Sequence, residues 1–367
     1  MSGFFRPLAL PDFPWDTIAD AGARARSHPD GICDLSVGTP VDPTPEIGRK
    51  ALADASDAHG YPLTWGTPAL RKAINDYLVT RWGAPDLTER GVLPVIGTKE
   101  LVGWLPTLLG LGPDDTVVIP ATAYPTYAVG AAVAGCRVVT AETTDDVADE
   151  RPALVWTNSP SNPTGRVADE AETKAWIAYT RERGALLVAD ECYGEFGWDA
   201  EPVSALDARL NGGDVTGIVG AYSLSKRSNL AGYRAGFIGG DASVVSQLLE
   251  VRKHLGMMVP APVQAAMTVL LGDDDHVRIQ RDRYAARRAL LAPALLEAGF
   301  RIDHSNAGLY LWATRGENCR ATVDWLADRG ILAAPGDFYG TASTEHVRIA
   351  LTATDERIAA AAARLTA

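Results

Sequence analysis

The sequence predicts an α/β protein: a mostly parallel seven-stranded sheet between helices, followed by a smaller α+β domain. Two observations carry this. Short apolar runs alternate with longer helical patterns through the middle of the chain, as in sheets whose strands are covered on both faces. After about residue 275 the texture changes to one long Arg- and Ala-rich helical stretch, three apolar strand-like pieces and a final Ala-rich helix. A chain of 367 residues is long enough to bury two such cores.

The strand candidates of the larger unit are 92–96, 116–119, 137–140, 153–156, 186–189, 217–221 and 235–238. Each is a short apolar or β-branched run bounded by turn formers. Helical periodicity fits 100–109, 169–183 and 243–254. In the smaller unit the long helix is 277–298, the strand-like pieces are 309–313, 331–334 and 347–351, and the last helix starts at Asp355. Residues 1–40 hold five prolines and read as an arm plus a piece of the smaller domain. The expected division is 1–40, then a large domain 41–275, then 276–367.

Composition limits the function. The net charge of −12 argues against a partner with a phosphate backbone, and nucleic acid is not expected. The N-terminus has no uninterrupted apolar stretch, which argues against a signal peptide, and the apolar run 128–136 is too short for a bilayer. Cys33, Cys136, Cys192 and Cys319 lie far apart, and no pair of the six histidines has i, i+4 spacing. A reducing cytoplasm fits, and no metal is expected.

One stretch bears chemistry more plainly than the rest. Ser223-Leu-Ser225-Lys226 sets a lysine between two hydroxyls and a following turn, and Arg234 follows eight residues on. A lysine amine can hold an aldehyde as a Schiff base, and hydroxyls with a guanidinium can hold a phosphate. Pyridoxal 5'-phosphate carries both groups. Four of the other five lysines lie in charged helical stretches, and Lys99 lies in a turn that is itself a phosphate candidate.

Gly97-Thr98-Lys99 follows a strand and opens a helix, where backbone N–H groups attract anions. Asp190 ends an apolar strand, where a carboxylate is costly unless it meets a cation such as a pyridinium nitrogen. Tyr193, three residues on, can reach a ring hydroxyl. Asn158-Ser-Pro-Ser-Asn162-Pro-Thr-Gly165 is a stiff turn able to hold Asn162 over a cofactor. Tyr124 can stack on an aromatic ring. Arg348 alternates with Val347 and Ile349, so it points to the opposite face and can grip a carboxylate bidentately. Each segment also has a structural reading: a capped helix start, a surface turn, a packing tyrosine or an exposed strand arginine.

Taken together and in order, from about residue 34 to 352, these segments resemble the class I/II aminotransferases of PLP fold type I. The resemblance implies pyridoxal 5'-phosphate as cofactor, with Lys226 as the lysine that holds it. It makes Asp190 the partner of the ring nitrogen, and Tyr193 and Asn162 the ligands of the ring hydroxyl. Thr98, Lys99, Ser223, Ser225 and Arg234 become the phosphate cup, Tyr124 the stacking ring, and Arg348 the binder of the substrate α-carboxylate. Gly38, in Ser36-Val-Gly-Thr-Pro40, resembles the glycine whose backbone touches substrate. Tyr61 resembles the tyrosine that reaches a phosphate across a dimer interface, which implies a homodimer with shared active sites.

Pro14-Trp-Asp16, Gly97-Thr-Lys-Glu100, Ala189-Asp-Glu-Cys-Tyr193 and Ala334-Pro-Gly-Asp-Phe-Tyr-Gly340 are similar to segments of the N-succinyldiaminopimelate aminotransferases of lysine biosynthesis. That likeness implies L-glutamate as amino donor, N-succinyl-2-amino-6-oxopimelate as acceptor, and ping-pong turnover. A transaminase for another amino acid, or a C–S β-lyase, would use the same lysine. A non-catalytic regulator on this scaffold is the remaining alternative. Arg227 stands where the wider family has a small residue, so its contact with substrate or solvent is open.

Overall fold

The computed structural model describes residues 10–367, so the expectation for the extreme N-terminus lies largely outside the described residues. A helix, Ala19–Arg26, leads to a two-residue strand, β1 (Cys33–Asp34). Seven strands then build the main sheet: β2 (Val92–Val95), β3 (Thr116–Pro120), β4 (Arg137–Ala141), β5 (Leu154–Asn158), β6 (Leu186–Asp190), β7 (Ile218–Ser223) and β8 (Gly236–Gly240). Their order is β2-β8-β7-β6-β5-β3-β4. Neighbours from β7 to β4 pair in parallel, while β8 runs antiparallel to both β7 and β2.

Burial explains the composition of these strands. β2, β7 and β8 are buried along their whole length, which demands near-continuous apolar or small residues. β4 lies at the sheet edge, and there Arg137 and Thr140 meet solvent. Helices Thr98–Leu108 and Ala242–Leu255 cover one face through Leu101, Leu105 and Leu248. Helices Pro68–Trp82, Glu170–Arg183 and Ala261–Leu271 cover the other through Leu78, Ile177 and Met267.

Helix Glu170–Arg183 shows how local sequence sets these bounds. The Asp169 carboxylate accepts from the Glu172 N–H at 2.8 Å, a cap that contributes about 1 kcal/mol. Gly184 ends the helix at φ +65°, a conformation that a side chain would strain. Acidic residues occupy the first turn and Arg181 and Arg183 the last, each opposite in sign to the helix dipole.

The C-terminal part begins with helix Asp275–Glu297. It continues with β9 (Arg301–Asp303), β10 (Tyr310–Thr314), β11 (Ile331–Leu332), β12 (Ala334–Pro335) and β13 (His346–Ala350). β12-β13-β10-β9 form an antiparallel sheet, whereas β11 pairs in parallel with β1. The apolar piece 331–334 is therefore two strands in two sheets, because the chain crosses between them at Ala333. β9, a three-residue strand, is too polar to show as an apolar run in the sequence. Ile18, Ala25, Cys33 and Leu35 pack in one core with Leu295, Leu326, Ile349 and Ile358. No described helix is long and apolar enough to cross a membrane.

Candidate active site

The carboxyl ends of β5, β6 and β7 converge at Asn158, Asp190 and Ser223, where Asn158 lies in register with Asp190. Ligands of open α/β sheets bind at this edge. A cavity of about 740 Å³ lies there between the sheet and the C-terminal part. Its lining includes Gly38, Thr98, Lys99, Tyr124, Asn162, Asp190, Tyr193, Ser223, Ser225, Lys226, Arg234 and Arg348.

Lys226 sits on a single helical turn, Leu224–Arg227, directly after β7. Ser223 caps that turn by accepting from the Ser225 N–H at 3.1 Å. The Lys226 ammonium donates to the Gly38 carbonyl. Burial lowers its pKa, the Arg348 and Arg234 charges push the same way, and Tyr310 and Cys192 oppose them.

Asp190 is buried at the end of β6. It accepts from the Tyr127 hydroxyl at 2.6 Å and from the Cys192 N–H at 3.2 Å. Among the described residues no cation pairs with it, and burial raises its pKa despite those bonds. Tyr127 is in turn stacked on Trp156, with ring centroids 4.9 Å apart. Tyr124 lies edge-on to Tyr127, and burial pushes its hydroxyl up to about 12.

The Asn158 side chain ties the turn 158–165 to β6. Its amide donates to the Asp190 carbonyl at 2.9 Å, and its oxygen accepts from the Asn162 N–H at 2.7 Å. The Asn162 oxygen accepts from Arg348 at 2.8 Å, and the Ser36 carbonyl accepts from the other Arg348 nitrogen at 2.7 Å. Arg348 also lies 4.0 Å from the Tyr310 ring. It points away from Val347 and Ile349 as expected, but that face looks into the cavity and Arg348 is only 3% exposed.

Opposite, Gly97 turns at φ +72° into helix Thr98–Leu108. The Arg234 guanidinium closes over this turn, and the positive φ is what calls for glycine there. Arg234 donates to the Ala231 carbonyl at 2.8 Å. The Cys192 thiol donates to the Thr98 hydroxyl at 3.4 Å. Lys99 is exposed at the rim, its ammonium 5.7 Å from the Phe13 ring.

Tyr61 is not brought to the cavity: it is 97% exposed on a segment shared with exposed Leu63. Arg227 contacts neither cavity nor solvent. It is buried, 3.3 Å from Glu195, and donates to the Leu270 carbonyl at 3.0 Å. Tyr310 lies in the apolar piece 309–313, and nothing in that run singles it out. Its hydroxyl lies 2.9 Å from that of Tyr193. Burial raises both hydroxyls, but the Arg348 and Lys226 charges outweigh it at Tyr310, whose pKa falls. Tyr127 was visible in the Tyr124–Tyr127 turn, yet nothing in the sequence aimed it at Asp190.

Residues 30–365 match the family model of aminotransferase class I and II. The chain belongs to that family. This aminotransferase is 61% identical over 358 residues to a probable aminotransferase of Mycobacterium tuberculosis, covering 98% of this chain and 86% of the relative. It is 56% identical over 357 residues to the 4-dedimethylamino-4-oxo-anhydrotetracycline transaminase OxyQ of Streptomyces rimosus, covering 97% and 99%. A solved structure of a probable N-succinyldiaminopimelate aminotransferase from Thermus thermophilus superposes with a TM-score of 0.88 at 29% identity, covering 96% and 99%.

Aminotransferases of this family use pyridoxal 5'-phosphate, act on amino and oxo acids, and are typically dimeric. The cavity fits that cofactor. It has an amine of lowered pKa, a buried carboxylate without a cation, and a glycine turn closed by a guanidinium. Among the described residues no cluster of His, Cys, Asp and Glu suits a metal ion.

Proposed function

We propose that this aminotransferase moves the amino group of L-glutamate to N-succinyl-2-amino-6-oxopimelate by ping-pong turnover. The products are 2-oxoglutarate and N-succinyl-LL-2,6-diaminopimelate, and the setting is cytoplasmic lysine biosynthesis. The observation that carries the transamination is the convergence of Lys226, Asp190, Arg234 and Arg348 on one cavity from four separate segments. The motif likeness and the Thermus structure support the acceptor.

Bound pyridoxal phosphate supplies an electron sink for the substrate α-carbon. With the cofactor bound, Lys226 would hold its aldehyde. Its amine would take the substrate α-proton on Nζ, and burial, which lowers its pKa, favours the unprotonated form that this needs. Asp190 would pair with the ring nitrogen, and Tyr127 holds that carboxylate in place through its hydroxyl. Tyr193 and Asn162 would reach the ring hydroxyl, and Tyr124 would stack on the ring. Thr98, Ser223, Ser225, Arg234 and the backbone of Gly97 and Lys99 would hold the phosphate. Arg348, steered by Asn162 and the Ser36 carbonyl, binds the α-carboxylate beside Gly38.

In this reading residues 41–275 bind the cofactor, and 276–367 with 1–40 form the smaller domain. Tyr61 serves the phosphate of a second copy in a homodimer, which accounts for its full exposure in one chain.

A second reading, an acceptor with a bulky apolar body, has an observation of its own. Phe13, Trp15, Val37 and Val102 give the cavity an apolar wall, and the 56% identical relative is named for a tetracycline intermediate. A half-reaction screen separates the two. Glutamate and N-succinyl-LL-diaminopimelate should each convert the cofactor to its amine form. Failure of the second alone removes the acceptor, and failure of every amino donor removes transamination. Pyruvate release from cystathionine without an acceptor would mark a C–S lyase instead.

A further inference from the structure

Beside the Lys226 turn lies a chain of side chains with the connectivity of a hydrolytic triad. The Ser228 hydroxyl is 2.8 Å from His276 Nε2, and His276 Nδ1 is 2.8 Å from Asp273 Oδ2. Asp273 accepts only, so Nδ1 carries the proton, and Nε2 of the neutral ring accepts from Ser228. Ser228 is 0% exposed, so no substrate reaches it and the arrangement is not a nucleophile. Its position matters for another reason: Ser228 ends the turn Leu224–Arg227, two residues after Lys226, and its N–H closes that turn on Leu224.

The next turn of the same helix repeats the pattern. Gln280 accepts from the Asn229 amide at 2.9 Å and donates to Asp42 at 2.8 Å. Arg287 holds Asp42 with two bonds of 2.8 and 2.7 Å. His276, Gln280 and Arg287 are spaced i, i+4, i+11 and so share one face of helix Asp275–Glu297. That face is buried, with Gln280 3% and Arg287 2% exposed. It grips two segments at once: the turn with Lys226, and the segment 38–42 that begins at Gly38. Those segments meet where the Lys226 amine bonds the Gly38 carbonyl.

We propose that His276 and Gln280 are positioning residues, which set the place of the Lys226 amine relative to Gly38 by clamping both segments to one helix. The proposal rests on Lys226 as the cofactor lysine. Borohydride reduction of the holoenzyme followed by peptide mapping tests that premise separately, through the label on Lys226.

The clamp itself is tested with Ser228→Ala, Gln280→Leu and the double variant. A misplaced amine costs rate more than binding, so each single variant should lose about tenfold in kcat for glutamate with KM nearly unchanged. The pH midpoint of the visible band of lysine-bound cofactor should move with it, while thermal midpoint and bound cofactor stay near wild type. Two clamps on one geometry couple, so the double variant should lose less than the product of the singles. Three results would overturn the proposal: wild-type kcat and band midpoint in both single variants, losses that multiply independently, or losses that vanish when rates are normalised to bound cofactor.

Discussion

Lys226 and Arg227 are adjacent cations on one helical turn, and their surroundings are opposite. Arg227 is buried against Glu195, the Leu270 carbonyl and the Tyr77 ring, whose centroid is 4.9 Å from its guanidinium carbon. Glu195 is held below the usual carboxylate range although burial opposes this, because Arg227 and Arg81 flank it. Lys226 faces the cavity with a carbonyl but no carboxylate partner among the described residues, and its pKa falls. The same contrast separates Glu195 from Asp190, the first paired with cations and the second not. Where charges are matched the chain is building structure. Where they are left unmatched the protein keeps an ionisable group ready for something that binds.

The strongest way to break this contrast is Lys226→Ala. Turnover should fall about a thousandfold or more, and the visible band of bound cofactor should vanish, while circular dichroism stays that of the wild type. A variant that retains turnover would place the chemistry elsewhere.

Asp190→Asn should lower kcat/KM on the order of a hundredfold, since the group that holds the ring nitrogen's proton is gone. The same change should stabilise the cofactor-free protein at neutral pH. Burial raises the folded-state pKa of Asp190, so between the unfolded and folded values the native state binds more protons. Stability therefore falls as pH rises through that window, and asparagine removes the loss. Thermal melts of both cofactor-free proteins should converge below the unfolded carboxylate pKa and separate above it.

Arg227→Met reverses the balance. It leaves Glu195 with Arg81 as its remaining close cation and should cost about 3 kcal/mol in denaturant unfolding. Rate per folded, cofactor-loaded molecule should change only a few-fold, because Arg227 does not line the cavity.

The smallest expected effect concerns Lys226 itself. In the cofactor-free protein an amine-selective reagent should modify it at lower pH than it modifies a lysine in an unfolded peptide. The unfolded chain keeps that proton longer, so stability should rise slightly with pH between the lowered value and that of an ordinary lysine.

The sequence made some of this site legible and hid the rest for physical reasons. Asp190 stood out because a carboxylate at the end of a buried strand needs a partner, and Ser223 because it shares a short run with Ser225 and Lys226. The Gly97 turn stood out because it joins a strand to a helix start, where backbone N–H groups attract anions. Arg348 was ambiguous, since strand alternation tells which face a residue takes but not what covers that face. Tyr310 and Tyr127 were hidden, because an aromatic residue in an apolar strand or helix reads as core until its hydroxyl finds a partner from far along the chain. The clamp from helix Asp275–Glu297 was equally invisible, since Ser228 and His276 are 48 residues apart.

The sequence by itself determined the alternation of strands and helices, the helix caps, and which lysine stood beside hydroxyls and a following arginine. These are local properties, set by periodicity of two and 3.6, by backbone sterics and by the chemistry of neighbours. Only the tertiary structure decided that the piece 331–334 divides between two sheets, that Arg227 is structural while Lys226 beside it is not, and that Arg348 looks into a cavity. Burial and charge pairing are made by residues far apart in the chain, 43 positions from Arg227 to Leu270 and 188 from Lys226 to Gly38, and they set which of two adjacent cations is neutralised and which is left reactive.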